Sequence, residues 1–313
     1  MTLLYADPRF LDHDTGHHPE SAVRLQHITA HLESSGLARR CQRPAWEPAT
    51  DAQLLAVHDR DYLQSLAQLG ERGGGRLDAD TVASPASYEV ARLAAGAVCD
   101  AVRRVIGGED HTALCLSRPP GHHALAGRAM GFCLLGNVAI AAQAALDEYQ
   151  LDRVLVVDWD VHHGNGTQDL FYGDSRVGFL SIHRWPFWPG TGAADETGHG
   201  DGLGATRNLP VTFGTPRRDY LARFTAELTT FAERMKPQLV LVSAGFDSHA
   251  ADPIGSLGLE TEDFAELTGV VRAVADDYAA GRLVSVLEGG YNPPVLADCV
   301  AVHLAGLLGN KHS

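Results

Sequence analysis

Short apolar runs alternate along this chain with longer stretches whose apolar residues recur at helical spacing. Besides residues 3–5, the runs that predict strands are 112–116, 154–157, 177–182, 239–243 and 283–287. The stretches that predict helices are 23–32, 85–107, 138–146, 219–235, 261–279 and 293–308. In the second of these, Ser84 followed by Pro85 predicts the helix start, with Ser84 as the N-cap.

This alternation determines the predicted fold class. Strands that alternate with helices favour right-handed crossovers and a mostly parallel sheet covered by helices on both faces. No linker, repeat or change of composition divides the chain. Residues 1–313 therefore predict a single α/β domain.

The run at 154–157 has the character of a buried strand and ends abruptly in polar residues. Beyond it, Asp158, Asp160 and His162 alternate at a period of two, so their side chains leave an extended backbone on the same side. Two carboxylates and an imidazole on one face favour a bound divalent cation, because like charges are costly to bury together. A solvated strand end gives the same pattern, so the triplet needs support from the rest of the chain.

Composition narrows the class of protein. The 313 residues are 45% hydrophobic and 20% charged, as in a globular protein with one large core. A formal charge of −14 without a basic cluster argues against a nucleic-acid partner and favours a cationic substrate. No apolar stretch is long enough to cross a membrane and no leader segment opens the chain, so we expect no membrane association and a cytoplasmic location. The five cysteines are odd in number and widely spaced, which predicts reduced thiols rather than a disulfide framework or a zinc finger.

Polar residues follow each of the later predicted strands. In an open parallel sheet the carboxyl ends of the strands share one edge, and ligands bind in the crevice there. The segments that would meet at this edge are 117–123, 158–162, His183, 244–249 and 288–291.

Asp247 follows its strand as Asp160 follows the run at 154–157, so it can supply a third ligand beside Asp160 and His162. Three protein ligands leave one coordination position open, as in catalytic zinc sites. Carboxylate and imidazole ligands suit Zn²⁺ but also Fe²⁺, Mn²⁺ or Co²⁺. At the same edge, His122 and His123 predict proton transfer.

Two further groups at this edge have both a functional and a structural interpretation. Tyr291, delivered by Gly289 and Gly290, predicts a hydrogen-bond donor to an anionic intermediate. A histidine pair that is only structural, and a tyrosine that only packs a loop, are the alternatives.

The ordered motifs of the chain resemble those of the histone deacetylase family. They are RPPGHHA at 118–124, GFC at 131–133, DWDVHHGNGTQ at 158–168, PGTG at 189–192, AGFD at 244–247 and EGGY at 288–291. Their wording is similar to that of the class II branch and its bacterial amidohydrolase relatives, which include acetylpolyamine deacetylases. The resemblance covers nearly the whole chain and implies the arginase-like α/β fold, a central parallel sheet of about eight strands and a zinc site.

Carried over position by position, the resemblance assigns roles at this site. It makes Asp160, His162 and Asp247 the zinc ligands. The implied catalytic residues are His123 as general base and acid, His122 as its electrostatic neighbour, Tyr291 as the donor that polarises the carbonyl, Asp158 holding His122 and Asn165 holding His123. The class I branch has an aspartate where Asn165 stands. Since an amide stabilises imidazolium less than a carboxylate does, we predict a lower pKa for His123 here.

The resemblance also implies structural potassium ions and a narrow acyl-lysine tunnel. One potassium site would use Asp158, Asp160, His162, Ser181 and Ile182, and the other Phe171, Asp174, Val177 and Asn208, largely through backbone carbonyls. The tunnel would be lined by Gly131, Phe132 and Trp188, with Ile254 at its rim and Asp78 as the rim acid that grips the substrate backbone. Trp188 replaces the Phe or Tyr that is common at its position.

The expected reaction is zinc-dependent hydrolysis of N-acetyl amides, which releases acetate and a free amine. Acetyl-lysine, an acetylated polyamine and a small N-acetyl metabolite all present the same amide. Because polyamine specificity usually needs an acidic gate and Ile254 is apolar, acetyl-lysine is favoured. A catalytically silent acetyl-lysine binder would lack one of the predicted catalytic groups, and an arginase-type ureohydrolase would need paired metals and more carboxylate ligands.

Overall fold

A computed structural model describes residues 1–309 of the chain, so residues 310–313 of the predicted single domain lie outside the described part. Within residues 1–309 there are ten strands. Their bounds are β1 Thr2–Tyr5, β2 Cys41–Gln42, β3 Gly75–Arg76, β4 Val82–Ala83, β5 Thr112–Cys115, β6 Val154–Asp158, β7 Val177–Arg184, β8 Thr206–Val211, β9 Leu239–Ala244 and β10 Leu283–Leu287.

Eight of these strands form one sheet in the order β2-β1-β5-β10-β9-β6-β7-β8, and every neighbouring pair is parallel. The predicted α/β class with a mostly parallel sheet is therefore confirmed. Within this sheet, the two strands that the apolar pattern did not predict, β2 and β8, lie at the two edges. β2 is only two residues long, and β8 contains Asn208 and the partly exposed Pro210, which interrupt an apolar run. Strands β3 and β4 form a separate antiparallel pair.

Nine α-helices lie within the described residues. Their bounds are α1 Ala22–Ser34, α2 Asp51–Leu55, α3 Arg60–Glu71, α4 Ser87–Ile106, α5 Asn137–Asp147, α6 Asn165–Phe171, α7 Arg217–Met235, α8 Thr261–Tyr278 and α9 Pro293–Leu308. Helices α2, α3 and α6 were not predicted. The predicted N-cap of α4 was wrong: the helix begins at Ser87, and Ser87 Oγ accepts a hydrogen bond from the backbone N–H of Ser84 at 2.7 Å. Ser84 Oγ donates to the carbonyl oxygen of Asp12 at 3.3 Å and accepts from the backbone N–H of Asp14 at 3.2 Å, and no side chain caps the N-terminus of α4 through a hydrogen bond.

The central strands explain where the core and the site lie. Every residue of β6, β9 and β10 is buried, as expected when helices cover both faces of a parallel sheet. Helices α7, α8, α9 and α1 pack one against the next, and α4 packs against α5. No helix in residues 1–309 has the length and apolar content to cross a membrane. Polar residues follow directly after these buried strands, so the polar side chains that can bind a ligand lie at the carboxyl ends of the strands.

Candidate active site

Three potential metal ligands converge at the carboxyl ends of β6 and β9. Asp160, His162 and Asp247 are buried, and their ligand atoms lie within 4.8 Å of one another. His162 Nδ1 is 3.1 Å from Asp160 Oδ1 and 3.0 Å from Asp247 Oδ2. The structure therefore brings the three predicted ligands together.

Backbone N–H groups hold the two carboxylates in place. Asp160 Oδ2 accepts from Gly289 at 2.8 Å, and Asp247 Oδ1 accepts from Val161 at 2.9 Å. A Cβ atom on residue 289 would stand 2.5 Å from Asp160 Oδ2 and 2.5 Å from Asp247 Oδ2. Only glycine lets the backbone approach both carboxylates this closely.

The electrostatics of this trio call for a cation. Burial and the charge of Asp160 raise the pKa of Asp247 to about 7. Within residues 1–309, Asp247 Oδ2 has no well-formed hydrogen bond, although a buried carboxylate oxygen normally has one. An oxygen of this kind beside a second carboxylate and an imidazole nitrogen fits a divalent metal ion, because the ion would supply the missing positive charge.

Two adjacent histidines stand beside the trio, with ring centroids 3.8 Å apart. His122 Nδ1 contacts Asp158 Oδ2 at 2.9 Å, and His123 Nδ1 contacts Asn165 Oδ1 at 2.7 Å. Asp158 is the last residue of β6 and Asn165 the first of α6, so the pairing partners sit on regular structure. The structure places both predicted orienting residues against the histidines assigned to them.

The two histidines have opposite electrostatic environments. Burial lowers the pKa of both, but Asp158 and Asp160 outweigh it at His122 and raise that pKa to about 10. At His123 the positive charges of His122 and His162 add to burial, so its pKa lies well below the usual value. The pair is thus one charged and one neutral imidazole at neutral pH. A neutral imidazole can accept a proton, which suits a general base.

A buried carboxylate to which the sequence analysis gave no role fixes the turn at residues 121–123, which we call the histidine turn. Glu288 Oε2 accepts hydrogen bonds from the backbone N–H of Gly121 at 2.7 Å and of His122 at 3.3 Å. Glu288 is fully buried and directly follows β10, immediately before the residues that lead to Tyr291. The side chain of Glu288 therefore connects the histidine turn to residues 289–291, which we call the tyrosine loop.

The tyrosine loop is anchored from two further sides. Arg24 donates to the carbonyl oxygens of Gly290 at 2.6 Å and Glu288 at 2.5 Å, and its guanidinium lies 5.1 Å from the ring centroid of Tyr291. Asp252 Oδ2 accepts from the backbone N–H of Tyr291 at 2.6 Å. Burial and the charge of Asp247 raise the pKa of Tyr291 well above its usual value. Its hydroxyl therefore stays protonated and can donate a hydrogen bond.

Arg24 belongs to a second buried ionic cluster, which we call the arginine cluster: Glu20, Arg24, Arg118 and His13. Glu20 contacts Arg118 at 2.5 and 2.8 Å and Arg24 at 3.0 Å. Burial alone would raise the pKa of Glu20, but the arginines, Arg118 foremost, lower it to about 2. Sequence patterns gave no signal for this cluster, because its members are spread over about a hundred residues and each is an ordinary charged residue alone.

A cavity of about 170 Å³ leads from the surface to these groups. Its lining comprises Asp80, His123, Gly131, Phe132, His162, Phe187, Trp188, Ile254 and Tyr291. The predicted wall residues Gly131, Phe132 and Trp188 and the predicted rim residue Ile254 all lie here. A Cβ on Gly131, which has φ +57°, would overlap both Trp188 and His123, so glycine is required for this narrow wall.

The rim acid is a correction to the sequence prediction. Asp80 lines the cavity, whereas Asp78 does not. The carboxylate of Asp78 turns back to accept from the backbone N–H groups of Asp80 at 2.9 Å and Thr81 at 2.6 Å. Asp78 therefore stabilises the loop, and the acidic residue that lines the cavity is Asp80. Phe187 was also missed, because nothing in its sequence context marks it as a wall residue.

The predicted potassium residues fall at two ends of β7. Ser181 pairs with Asp158 in the sheet register, so the first set lies together where β6 and β7 end. Phe171, Asp174 and Val177 lie near the start of β7, where the Asp174 carboxylate is engaged by Arg176 at 2.6 Å. Asn208, predicted with this second set, pairs instead with Ser181, so the structure separates it from Val177.

Known proteins resemble this chain over most of its length. The chain matches the model of the histone deacetylase domain over residues 18–307. It is 41% identical over 283 residues to a histone deacetylase-like amidohydrolase from Pseudomonas aeruginosa, an alignment covering 90% of this chain and 74% of the relative. It is also 41% identical over 303 residues to polyamine deacetylase HDAC10 from Homo sapiens, covering 93% of this chain and 45% of that protein.

The fold of the chain is also shared with a solved structure. The crystal structure of the HDA15 HD domain superposes with a TM-score of 0.93 at 34% identity, covering 100% of this chain and 89% of that one. A family match over most of the chain, a shared fold and relatives above 40% identity agree with the motifs seen in the sequence. The chain belongs to the histone deacetylase family of amide hydrolases.

Proposed function

We propose that this amide hydrolase removes acetyl groups from acetylated lysine side chains, with Asp160, His162 and Asp247 holding one divalent metal ion, Zn²⁺ by preference. The observation that carries the proposal is the convergence of these three ligands with His123 and Tyr291 at the base of one narrow cavity. Fe²⁺, Mn²⁺ and Co²⁺ accept the same ligands, so each can replace Zn²⁺ in principle. When bound, such an ion polarises the amide carbonyl and lowers the pKa of water.

The protein's own groups would carry the proton transfers. His123, with Nδ1 held by Asn165, presents Nε2 to take a proton from the attacking water and later to return it to the leaving amine. Tyr291 donates a hydrogen bond to the carbonyl oxygen as negative charge develops there. His122, kept charged by Asp158 and Asp160, stabilises that negative charge through space. Acetate and a free amine are the products.

The cavity walls favour an alkyl chain that ends in the amide. Phe132, Phe187 and Trp188 form an apolar channel suited to the methylene stem of lysine, while Asp80 at the rim can accept hydrogen bonds from the peptide backbone of the substrate. Ile254 offers no charge to the second ammonium group of a polyamine. These contacts favour an acetyl-lysine peptide.

An acetylated polyamine is the second candidate. Two observations favour it: the similarity to a relative named as a polyamine deacetylase, and the formal charge of −14, which attracts cations.

A structural potassium ion is also part of the proposal, at the set formed by Asp158, Asp160, His162, Ser181 and Ile182. Its support is the family motif and the buried Asp158 beside Ser181 in the sheet register.

The deciding experiment compares kcat/KM for an acetyl-lysine peptide with that for acetylspermidine and acetylputrescine, with and without a chelator. We expect the peptide to be preferred by at least ~10-fold and every activity to disappear with chelation. Ile254→Glu should move the preference toward the polyamines, and Ile254→Leu is its matched control. A preference for polyamines in the unchanged chain would select the second candidate, and inactivity on all three substrates would refute the proposal.

A further inference from the structure

Asn165 contacts His123 through an amide, whose two ends differ in hydrogen bonding. The oxygen Oδ1 only accepts and the nitrogen Nδ2 only donates. Oδ1 lies 2.7 Å from His123 Nδ1, and Nδ2 lies 3.3 Å from the thioether sulfur of Met130. The amide thus bridges an imidazole and a methionine.

The direction in which this amide points decides the tautomer of His123. With Oδ1 toward the ring, Nδ1 must carry the hydrogen, and the lone pair of Nε2 is free to accept a proton. With the amide reversed, Nδ2 would donate to Nδ1, the hydrogen would reside on Nε2, and the ring could no longer act as a base toward the cavity. Orientation of the amide is therefore a condition for proton transfer at His123.

Met130 distinguishes the two orientations. Its sulfur is a weak acceptor and has no hydrogen to donate, so it pairs with Nδ2 and repels Oδ1. Met130 Sδ is the acceptor that Nδ2 meets among residues 1–309, and Asn165 is buried, which limits compensation by water. A carboxylate at position 165 would present an oxygen at either end and would need no such selection.

We propose that Met130 is a positioning residue that fixes the orientation of the Asn165 amide and, through it, the tautomer of His123. This inference rests on the proposed role of His123 as general base. Met130 does not line the substrate cavity, so its effect acts on turnover rather than on substrate binding.

A double-mutant cycle with the acetyl-lysine peptide tests the proposal. Met130→Leu keeps the size of the side chain and removes the acceptor; we expect kcat to fall on the order of 10-fold with KM nearly unchanged. In an Asn165→Asp background the same Met130→Leu change should alter kcat by no more than about twofold, because either carboxylate oxygen accepts from Nδ1. Met235→Leu, at one of the two other methionines, is the matched control and should leave kcat unchanged.

Three results would overturn the proposal: an equal loss from Met130→Leu in both backgrounds, no loss in either, or a change in KM alone. Met130→Leu should unfold at the same denaturant concentration as the unchanged chain, so that its loss of turnover is not a loss of folded protein.

An activity-independent measurement separates this inference from the proposed function. The ring ¹⁵N chemical shifts of His123 report its tautomer, and we expect the Nδ1–H form in the unchanged chain and a growing Nε2–H fraction in Met130→Leu. Unchanged shifts in that variant would refute the role of Met130 even in an active enzyme. A chain that hydrolyses no acetyl amide but shows the shift would refute the proposed function alone.

Discussion

The arginine cluster and the metal-ligand trio of Asp160, His162 and Asp247 are both buried, and both contact residues 288–290 after β10. They differ in how their charge is balanced. In the arginine cluster, Glu20 is surrounded by Arg24 and Arg118, and its carboxylate oxygens are hydrogen-bonded. In the metal-ligand trio, two carboxylates share one imidazole, and Asp247 Oδ2 lacks a well-formed hydrogen bond. The first cluster is complete within the chain, whereas the second needs a cation from outside.

The two clusters have different roles: the arginine cluster is structural, and the metal-ligand trio is suited to binding an ion. A buried ion pair with its hydrogen bonds satisfied holds neighbouring segments in register, and here Arg24 uses its remaining donors to anchor the loop that carries Tyr291. A buried set of ligands with uncompensated charge stays available for a metal. Changes to the arginine cluster should therefore lower the stability of the fold, whereas changes to the metal-ligand trio should lower activity.

The largest effect is expected where the reacting groups are removed without disturbing either cluster. His123→Ala should lower kcat by about 10²–10⁴-fold, since it removes the general base. Tyr291→Phe should lower kcat by about 10²–10³-fold, since it removes one donor to the developing oxyanion. Both variants should bind as much metal as the unchanged chain, measured by elemental analysis. Loss of metal in either would place that residue among the ligands instead.

The arginine cluster should respond in the free energy of unfolding. Glu20→Gln leaves two buried guanidinium groups without their carboxylate, so we expect a loss of about 3–5 kcal/mol, measured by denaturant unfolding of the metal-free chain. Asp247→Asn is the matched change in the trio. It removes a repelled charge and should leave the stability of the metal-free chain equal or higher while abolishing activity. If both variants lost the same stability, the two clusters would not differ as described.

His303 is buried like the members of these two clusters, but it stays neutral and belongs to neither. Burial lowers its pKa to about 3, and its ring contacts Thr268 Oγ1 at 2.6 Å and Ser285 Oγ at 2.8 Å. Between pH 6.5 and 3 the unfolded chain would bind a proton at this position and the folded chain would not. Stability should therefore fall as the pH falls, by about 1.4 kcal/mol per pH unit from this group. Unfolding of His303→Gln should show a slope smaller by one proton, and an unchanged slope would contradict this assignment.

The smallest expected effect is a shift in pH dependence. Asn165→Asp places a carboxylate against His123 Nδ1, so the pKa of His123 should rise and the acidic limb of the kcat/KM profile should move to higher pH. The profile of acetyl-lysine hydrolysis measures this directly. A limb that stays in place would show that the partner of Nδ1 does not set the proton affinity of His123.

Much of this architecture follows from local sequence pattern. The strand at 154–157 was predicted because its apolar run is continuous and its end is abrupt. The shared edge of a parallel sheet then led to the prediction that Asp160, His162 and Asp247 lie close together. Edge strand β8 escaped prediction because Asn208 and Pro210 break its apolar pattern. Patterns of this kind reveal buried continuous strands and miss short or interrupted ones.

The remaining features depend on contacts between distant segments. Glu20 and Arg118 are ninety-eight residues apart, and nothing near either one predicts their ion pair. Asp78 and Asp80 are equivalent in sequence, and only the fold of the loop shows that Asp78 accepts hydrogen bonds from the loop backbone while Asp80 lines the cavity. The contact of Met130 with Asn165 likewise depends on how the segment that carries Met130 packs against the start of α6.

A metal titration of chelated protein, followed by hydrolysis of an acetyl-lysine peptide, tests directly whether the three side chains of the metal-ligand trio hold the catalytic ion. If Asp160, His162 and Asp247 hold the catalytic ion, activity should return with added Zn²⁺ and saturate at one ion per chain, and Asp247→Asn should not recover. Full activity in the chelated protein, or saturation only at two ions per chain, would show that these ligands do not hold a single catalytic ion.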